Sequence, residues 1–162
     1  MSDSNNPYLT YKLDLIKSLA TKAADRTYAS EFGLRVRELR VLRLMHDHPG
    51  ITATELRHLL VLDKTLMSKN LAVLEQRGLI QREVDADDNR VQRLFLTDEG
   101  TRIWRQSESL GRRMEDEMFG QLSPAQWEEL HRLLDAVLGS FQHWRDRQPP
   151  ESEFAGPASA ED

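Results

Sequence analysis

Residues 49–100 read PGITATELRHLLVLDKTLMSKNLAVLEQRGLIQREVDADDNRVQRLFLTDEG, and this stretch decides the fold. Thr52 and Glu55 form a T-x-x-E capping box, which predicts a short helix that ends near Leu60. Asp63 is a favourable N-cap for a second helix, because apolar residues at helical spacing follow it. Two short helices separated by a turn of about three residues are typical of a helix-turn-helix.

A β-hairpin is predicted directly after the second helix. Gly78 follows that helix and is suited to the left-handed conformation that ends many helices. The six residues from Asp85 to Arg90 are rich in turn formers, so we expect strands over Leu79–Val84 and Val91–Leu96 on either side of them. Thr97 is then placed to cap a further helix.

Helical periodicity extends on both sides of this stretch. It predicts helices from Leu9 to about Tyr28, from Leu34 to about Asp47, and from 98 to about Phe119. Ser123 begins another capping box, with proline at the first helical position, and so starts a last helix. That helix carries a near-heptad apolar stripe made of Trp127, Leu130, Leu134, Val137, Phe141 and Trp144.

Composition excludes several classes of protein. The chain has 162 residues, of which 39% are hydrophobic and 30% charged, as expected for one water-exposed domain. It has no cysteine, which excludes disulfides, thiolate nucleophiles, zinc ribbons and thiol redox switches. The longest aliphatic run, Leu59–Leu62, is far shorter than the roughly 20 residues that span a bilayer, and the polar start lacks a secretory signal. We therefore expect a soluble, cytoplasmic protein.

The negative charge is unevenly distributed along the chain. The net charge is −5, but residues 1–105 hold 17 basic and 15 acidic side chains, whereas residues 106–162 hold 5 and 12. We expect disorder in the polar residues 1–8 and in an acidic tail over 148–162. The total charge does not exclude nucleic-acid binding, because docking on DNA requires only local positive potential.

The order of elements is that of a winged helix with helical extensions at both ends, and the chain resembles the multiple-antibiotic-resistance regulator (MarR) family of transcription factors. The resemblance covers roughly residues 9–145. It rests on four strings in fixed order: Pro49-Gly50-Ile51-Thr52 with Glu55-Leu56, Leu74-Glu75-Gln76-Arg77-Gly78-Leu79-Ile80, Asp88-Asn89-Arg90, and Leu94-Phe95-Leu96-Thr97-Asp98-Glu99-Gly100.

The resemblance implies a mainly α fold in one domain over 9–147. It places a winged helix-turn-helix with a two-stranded β wing at 34–97 and dimerisation helices at 9–30 and 98–147. It also implies a homodimer that binds a palindromic double-stranded DNA operator, most often as a repressor. The apolar stripes of the first and last helices agree with a dimer, because one chain offers them too few partners. For the last helix alone, an ordinary monomer core explains the stripe equally well.

The second helix of a helix-turn-helix enters the major groove. With Met67, Leu71 and Leu74 facing inward, its opposite face presents the candidate DNA contacts Lys64, Thr65, Ser68, Lys69 and Ala72. Taken alone, such a face is most often only solvated. By resemblance, Arg90 is the wing arginine that enters the minor groove, and Asp88 supports the wing. Arg82 and Arg93 flank the loop within reach of phosphates.

Three positions depart from the family pattern. Lys69 stands where arginine is common, and Asn70 stands where a branched apolar residue is common. We expect these two to alter the operator sequence but not the mode of docking. Asn89 replaces an arginine and removes one charge from the wing. Arg77, at the end of the second helix, is expected to favour the C-terminus of that helix.

The family usually senses a small molecule, often an aromatic acid or a phenol, in a crevice beside the dimerisation helices. Aromatic surface or charge at the corresponding positions makes Tyr11, Arg40, His46 and Trp104 candidates for this effector pocket. Packing is the simpler role for Trp104, and a helix-end position is the simpler interpretation of His46.

Other kinds of site receive little support. His46-Asp47-His48 is a weak metal motif, because imidazoles at i and i+2 leave a helix on different faces, so no metal or other cofactor is expected. There is no nucleophile elbow, phosphate-binding glycine loop or H-E-x-x-H, so the chain is not expected to be an enzyme. The alternative function is a winged-helix module that binds protein rather than DNA, and Lys64, Lys69 and Arg90 favour DNA.

Overall fold

The computed structural model describes residues 8–147. Within that range the chain is mainly helical with one two-stranded antiparallel sheet, which confirms the predicted fold class. The expectations of disorder at 1–8 and 148–162 fall, apart from Tyr8, outside the described residues. The elements in chain order are α1 (Leu9–Phe32), α2 (Val36–Asp47), α3 (Ala53–Leu60), α4 (Lys64–Gln76), β1 (Ile80–Val84), β2 (Gln92–Leu96), α5 (Asp98–Phe119) and α6 (Pro124–Asp146).

The boundary between α1 and α2 differs from the prediction. α1 continues one turn past Tyr28 because no helix breaker precedes Gly33, whose left-handed conformation (φ +62°) ends the helix. α2 begins at Val36 rather than Leu34. The Asp25 carboxylate accepts a hydrogen bond from the Val36 amide at 2.7 Å. The preceding residue, Arg35, is extended, and its amide donates a hydrogen bond to the Glu38 carboxylate at 2.7 Å.

The helix-turn-helix forms as its capping residues predict. Oγ1 of Thr52 accepts a hydrogen bond from the Glu55 amide at 3.2 Å, and the Glu55 carboxylate accepts one from the Thr52 amide at 2.8 Å. Oδ1 of Asp63 accepts a hydrogen bond from the Leu66 amide at 2.8 Å and so caps α4. Val61, in the turn between the helices, adopts a left-handed conformation with φ +52°. Gly78, after α4, has φ +67° as expected.

The hairpin pairs β1 with β2 in a register that runs from Ile80 opposite Leu96 to Val84 opposite Gln92. Each strand starts one residue later than predicted. Ile51 adds an isolated bridge to Leu94, which ties the segment before α3 to the sheet. The wing therefore emerges from the same small core as the helix-turn-helix.

Thr97 joins the sheet, the end of α4 and the start of α5. Its Oγ1 accepts a hydrogen bond from the Gly100 amide at 3.0 Å and donates one to the Gly78 carbonyl at 2.7 Å. Its own amide donates to the Leu79 carbonyl at 3.1 Å. The predicted capping role of Thr97 is thus confirmed, and the same hydroxyl also fixes the turn after α4.

A single apolar cluster underlies the winged helix. It collects side chains from α2, α3, α4, both strands and the start of α5, and so fixes the orientation of α4. The buried members are Leu34, Leu39, Val41, Leu42, Met45, Ile51, Leu56, Met67, Leu71, Leu74, Leu79, Ile80, Leu94 and Ile103.

The chain divides into two compact units, one ending at Met118 and one beginning at Phe119. Apolar side chains remain exposed in both. In the first unit most of them lie on the N-terminal half of α1, with others such as Val61 in the helix-turn-helix. In the second they lie along α6, where Phe141 and Trp144 are 57% and 50% exposed. A single chain therefore leaves both predicted stripes uncovered. Among the described helices, none combines the length and apolar character needed to cross a membrane.

Candidate nucleic-acid interface

The α4 helix separates a buried face from a polar exposed one. Met67, Leu71 and Leu74 are at most 2% exposed and fix the helix on the core. The opposite face is solvent-exposed, as the periodicity predicts, and can donate hydrogen bonds or positive charge to a ligand. Its residues are Lys64, Thr65, Ser68, Lys69 and Ala72.

The wing is held by carboxylates at its turn. Oδ1 of Asp88 accepts a hydrogen bond from the Arg90 amide at 2.9 Å, so Asp88 caps the turn. Asp85, which the sequence analysis did not single out, accepts three hydrogen bonds. Its Oδ1 accepts hydrogen bonds from the amides of Asp87 and Asp88 at 2.9 and 3.1 Å, and its Oδ2 accepts one from Nε of Arg93 at 2.6 Å.

These contacts also set the protonation of Asp85. The hydrogen bond from Arg93 lowers the pKa of the Asp85 carboxyl, and the two loop amides lower it further. The other end of the Arg93 guanidinium donates a hydrogen bond to the Gly50 carbonyl at 3.2 Å. An aspartate at the first position of a turn is a recognised Asx-turn former, and this was the sequence signal available for Asp85.

Arg82 is engaged within the fold. Its guanidinium forms an ion pair with Glu75 of α4, in which Nη2 donates to Oε2 at 3.0 Å, and it also donates to the Gln92 side chain at 3.2 Å. The hydrogen bond from Arg82 lowers the pKa of the Glu75 carboxyl. The pair links α4 to β1 and neutralises the charge of Arg82 beside the wing.

The whole segment from Asp63 to Arg93 has six basic and six acidic side chains. Its positive potential therefore depends on which cations lack a partner. Arg82 and Arg93 are paired with carboxylates, and Arg77 donates a hydrogen bond to a backbone carbonyl, whereas Lys64, Lys69 and Arg90 have no side-chain hydrogen bond or ion pair within residues 8–147. Because Arg90 is also exposed in the wing turn, the free charges lie on α4 and on the wing.

One prediction about α4 needs correction. Asn70 is completely buried, three residues after Met67 and four before Leu74, so its amide belongs to the core and does not reach a base from the exposed face. Its Nδ2 and Oδ1 atoms have no hydrogen-bond partner among the described residues. Arg77, the C-cap residue of α4, donates a hydrogen bond to the Gly33 carbonyl at 3.0 Å, so its side chain also joins the end of α4 to the end of α1.

The candidate effector residues are only partly brought together. The rings of His46 and Trp104 stack with centroids 3.3 Å apart and planes inclined by 13°, which joins α2 to α5. The indole Nε1 of Trp104 is buried and has no hydrogen-bond partner among residues 8–147. Arg40 and Tyr11 are exposed, and neither forms a hydrogen bond, ion pair or ring contact with this stack. Tyr11 lies about 25 Å along α1 from Tyr28, the α1 residue whose hydroxyl interacts with Glu108 of α5.

A second contact between α2 and α5, missed by the sequence analysis, lies beside the stack. Arg43 is paired with Glu108, one turn from His46 and Trp104 respectively. Burial raises the pKa of the Tyr28 hydroxyl and the charge of Glu108 raises it further, which places α1 against the same pair. Within α2, Arg43 lies three residues before His46, and within α5, Glu108 lies four residues after Trp104, so each helix presents both residues on one face. The sequence does not show that the two faces meet, because Arg43 and Glu108 are 65 residues apart.

The His46-Asp47-His48 segment makes local contacts. Nδ1 of His46 lies 3.1 Å from Oδ1 of Asp47, and the His48 amide donates to the Leu44 carbonyl at the end of α2. In the part of the chain that the structure describes, no three histidine or carboxylate side chains are grouped as a metal site.

Comparison with known sequences identifies related regulators. A family model described as MarR family matches residues 32–90. The transcriptional regulator HosA of Escherichia coli O157:H7 is 33% identical over 100 residues, which is 62% of this chain and 74% of HosA. A transcriptional repressor of the helix-turn-helix type from Mycobacterium bovis is 26% identical over 133 residues, covering 82% of this chain and 92% of the repressor.

Comparison with solved structures gives the same fold. The structure of Staphylococcus aureus MepR bound to DNA matches with a TM-score of 0.71 and 26% identity, covering 85% of this chain and 99% of MepR. A crystal structure of MarR matches with a TM-score of 0.77 over 91% of this chain and 99% of MarR, and its 22% identity shows the fold alone. The named sequence relatives are transcriptional regulators and not enzymes, in agreement with the sequence analysis. The capped helix-turn-helix, the wing and the similarity to HosA together establish that this chain belongs to the MarR family of transcriptional regulators.

Proposed function

We propose that this protein is a homodimeric, DNA-binding repressor that occupies a palindromic operator and is released by a small aromatic acid or phenol. The observation that carries the proposal is the exposed α4 face, with Lys64 and Lys69, beside a wing whose Arg90 has no partner in the described chain. The DNA-bound MepR structure supports the assignment, because MepR has the same fold at 26% identity.

The α4 face and the wing have different roles in this proposal. Thr65, Ser68 and Ala72 approach base edges in the major groove, and the two lysines contact phosphate or guanine. Arg90 enters the minor groove, where the narrow width concentrates negative potential. Arg82 and Arg93 remain phosphate contacts, but their pairing with Glu75 and Asp85 reduces what they contribute.

The charge count limits the electrostatic part of the affinity. Lys64, Lys69 and Arg90, which have no partner within residues 8–147, bring about six positive charges per dimer to the DNA. If each charge neutralises one phosphate, the salt slope is about −5. A rise from 50 to 200 mM salt should then lower affinity by about 10³. This is the lower end of the range of about 10³–10⁵ that 6–10 phosphate contacts give.

A second copy of the chain covers the exposed apolar stripes in the proposed dimer. Leu9, Ile16 and Leu19 of α1 are at least 51% exposed, and α6 exposes Leu138, Phe141 and Trp144 to a similar extent. Burying these side chains against a symmetry-related copy removes large apolar surfaces from water. The dimer then places two α4 helices on successive major grooves, about 34 Å apart.

The effector pocket is proposed at the His46–Trp104 stack. The stacked rings offer aromatic surface. Nε1 of Trp104, which is buried and has no partner among residues 8–147, is the donor that a carboxylate or phenol oxygen would reach once the effector opens the contact between α2 and α5. Arg40 adds charge from α2, and Tyr11 stays a candidate from α1. An effector that binds between α2 and α5 favours a distance between the two winged-helix domains of the dimer at which their α4 helices no longer fit successive major grooves.

The alternative, a winged-helix module that binds protein, is favoured by one observation, the balance of six basic and six acidic side chains between Asp63 and Arg93. The two functions differ in their affinity for polyanions. A DNA-binding protein is retained on heparin and shifts a duplex at low salt, whereas a protein-binding module does neither.

Fluorescence anisotropy with a labelled 30-base-pair duplex at low salt tests the proposal. The wild-type dimer should bind, and the variant that combines Lys69→Gln with Arg90→Gln should bind at least tenfold more weakly, since it removes two of three free cations per protomer. Arg102→Gln on α5, whose guanidinium is paired with Glu99, is the matched control and should bind as the wild type does. Equal affinity of all three proteins would remove the basis of the proposed interface.

A further inference from the structure

The end of α4 is joined to the end of α1 by one guanidinium. Nη1 of Arg77, the C-cap residue of α4, donates a hydrogen bond at 3.0 Å to the carbonyl of Gly33, the C-cap residue of α1. The two residues are 44 positions apart in the chain. The bond therefore connects α4, which carries the proposed DNA contacts, to α1, whose first half exposes apolar side chains that a second copy covers in the proposed dimer.

The backbone at Gly33 is suited to this contact. Gly33 has φ +62°, and its amide donates to the Ala29 carbonyl at 3.0 Å, so α1 ends there and leaves carbonyl groups without helical partners. A Cβ added at Gly33 would lie 3.4 Å from Nη1 and 3.8 Å from Cζ of Arg77, so the guanidinium packs directly on the glycine. The C-terminus of a helix carries partial negative charge, which stabilises a cation placed there.

The charge of Arg77 also reaches the start of α5. Glu99 lies in the first turn of α5 and accepts hydrogen bonds from Arg102. The hydrogen bond from Arg102 lowers the pKa of the Glu99 carboxyl, and the charge of Arg77 lowers it further. One side chain at the end of α4 is therefore close to both α1 and α5.

The angle of α1 requires a second directional contact. Oδ1 of Asp25 accepts the hydrogen bond from the Val36 amide at 2.7 Å, which holds α1 to the start of α2. One directional contact leaves a helix free to pivot, because apolar packing has no preferred direction. The bond between Arg77 and Gly33 lies about 12 Å further along α1 and opposes that pivot. Since Lys12 is about 32 Å from Gly33 along the helix, a pivot of about 10° would move it by about 5–6 Å.

We propose that Arg77 is a positioning residue, which fixes the angle between α4 and α1 through the Gly33 carbonyl and thereby sets how the two α4 helices of the dimer meet DNA. The angle is a property of one chain, and its consequence for DNA binding rests on the proposed function. Arg77 acts without contacting bases, because α4 enters the major groove with its N-terminal residues. Arg77 lies at the other end of that helix, about 20 Å from Lys64 along the axis.

The distance between α1 and α4 within one chain tests the proposal directly. Because the sequence has no cysteine, Lys12→Cys and Ser68→Cys place one spin label on each helix, and dilution with unlabelled protein restricts pulsed dipolar spectroscopy to distances within a chain. Arg77→Gln should widen the distribution of distances by about 5 Å, because α1 is then free to pivot. Arg77→Lys keeps a donor for the carbonyl and should retain the wild-type width.

Arg26→Gln is the matched control for the distance measurement. Arg26 is an exposed α1 cation without a side-chain hydrogen bond or ion pair in residues 8–147, so its removal should leave the distribution unchanged. Equal widths in the wild type and in Arg77→Gln overturn the proposal. So does an Arg77→Lys distribution as broad as that of Arg77→Gln, because the hydrogen bond to Gly33 would then not be what holds α1.

Duplex length distinguishes a positioning role from a direct phosphate contact. A hairpin stem of eight base pairs is about 27 Å long, shorter than the roughly 34 Å between successive major grooves, so it engages one α4 helix at a time. Arg77→Gln, without spin labels, should bind a 30-base-pair duplex about fivefold more weakly than the wild type and the short stem within about twofold, since only the long duplex requires both α4 helices in place. An equal loss on both assigns Arg77 to the phosphate backbone and overturns its effect on placement. If the wild type binds neither duplex, the proposed function fails, and the distances still decide whether Arg77 fixes α1.

Discussion

Nε of Arg93 donates a 2.6 Å hydrogen bond to Oδ2 of Asp85, so the first residue of the wing turn is fixed to the strand that returns from it. The other carboxylate oxygen of Asp85 accepts the amides of Asp87 and Asp88. The Asp85 carboxylate thus orders the wing turn and keeps the Arg93 side chain partly buried. The conformation that presents Arg90 depends on this ion pair.

Asp85→Asn should therefore loosen the wing without unfolding the chain, because the carboxylate contacts are local to the hairpin. Amide hydrogen exchange over residues 85–91 should accelerate, and the affinity for DNA should fall. Asp87→Asn is the matched control, since the Asp87 side chain has no hydrogen bond or ion pair in the described chain. If both variants exchange at the wild-type rate, the carboxylate does not order the turn.

The same contact predicts a dependence on pH. The pKa of the Asp85 carboxyl is lowered in the folded state by Arg93 and the loop amides. Its stabilising contribution is therefore fully present above the unfolded pKa of about 4 and is lost as the pH falls through the lower folded pKa. Exchange rates in the wing, compared with those of α2 at the same pH, should rise selectively below pH 4 in the wild type. Asp85→Asn should abolish this selective rise.

Arg82 and Arg90 should differ in their importance for DNA binding although both belong to the hairpin. The Arg82 charge is neutralised by Glu75, whereas the Arg90 side chain has no partner within residues 8–147. We expect Arg90→Ala to weaken duplex binding by about 1–3 kcal/mol, or about 5- to 150-fold, and Arg82→Ala to weaken it by less than threefold. Anisotropy titrations at one fixed salt concentration give both values. A larger loss for Arg82→Ala would mean that its pairing with Glu75 opens on DNA.

Local sequence signals predicted most of this fold. The capping residues Thr52, Asp63 and Ser123 mark helix starts in the structure, because a cap is a contact between residues three apart. The exposed face of α4 followed from its periodicity alone. Such signals need no knowledge of tertiary contacts.

The contacts that the sequence did not predict are those between distant residues. Arg82 pairs with Glu75 across the turn after α4, and Arg43 pairs with Glu108 from another helix. No pattern within one helix or strand specifies these partners. The sequence analysis therefore placed Arg82 within reach of phosphates without its partner, and the fold pairs its charge with Glu75. Asn70 shows a different failure. Its position in the helix already placed it beside Met67 and Leu74, but it was expected to alter the operator sequence.

Asn70→Leu should stabilise the protein. The Asn70 amide is fully buried in an apolar cluster, and neither of its polar atoms has a partner among the described residues. Removing an unsatisfied buried amide in favour of a side chain with the same branching should raise the free energy of unfolding by about 1–3 kcal/mol. Denaturant unfolding followed by circular dichroism measures this value. Ser68→Ala, on the exposed face of the same helix, should change it by less than about 0.5 kcal/mol. A lower stability of Asn70→Leu would indicate that the amide is satisfied in solution.

Gly100 and Gly139 provide a matched pair of glycines within helices. A Cβ added at Gly100 would overlap the carbonyl oxygen of Leu79, which is backbone and is also the acceptor for the Thr97 amide. A Cβ added at Gly139 on α6 meets no atom within 4 Å.

Gly100→Ala should therefore force α5 away from the hairpin and destabilise the first unit by about 1–3 kcal/mol or more. Gly139→Ala should leave stability unchanged or raise it by up to about 1 kcal/mol, because alanine favours a helix over glycine. Thermal unfolding of both variants decides the matter, since 1 kcal/mol shifts the Tm of a chain of this size by about 2–4 °C. If Gly100→Ala melted at the wild-type temperature, α5 would not pack as closely on Leu79 as the structure indicates. The Thr97-Asp98-Glu99-Gly100 string would then act only as a helix start.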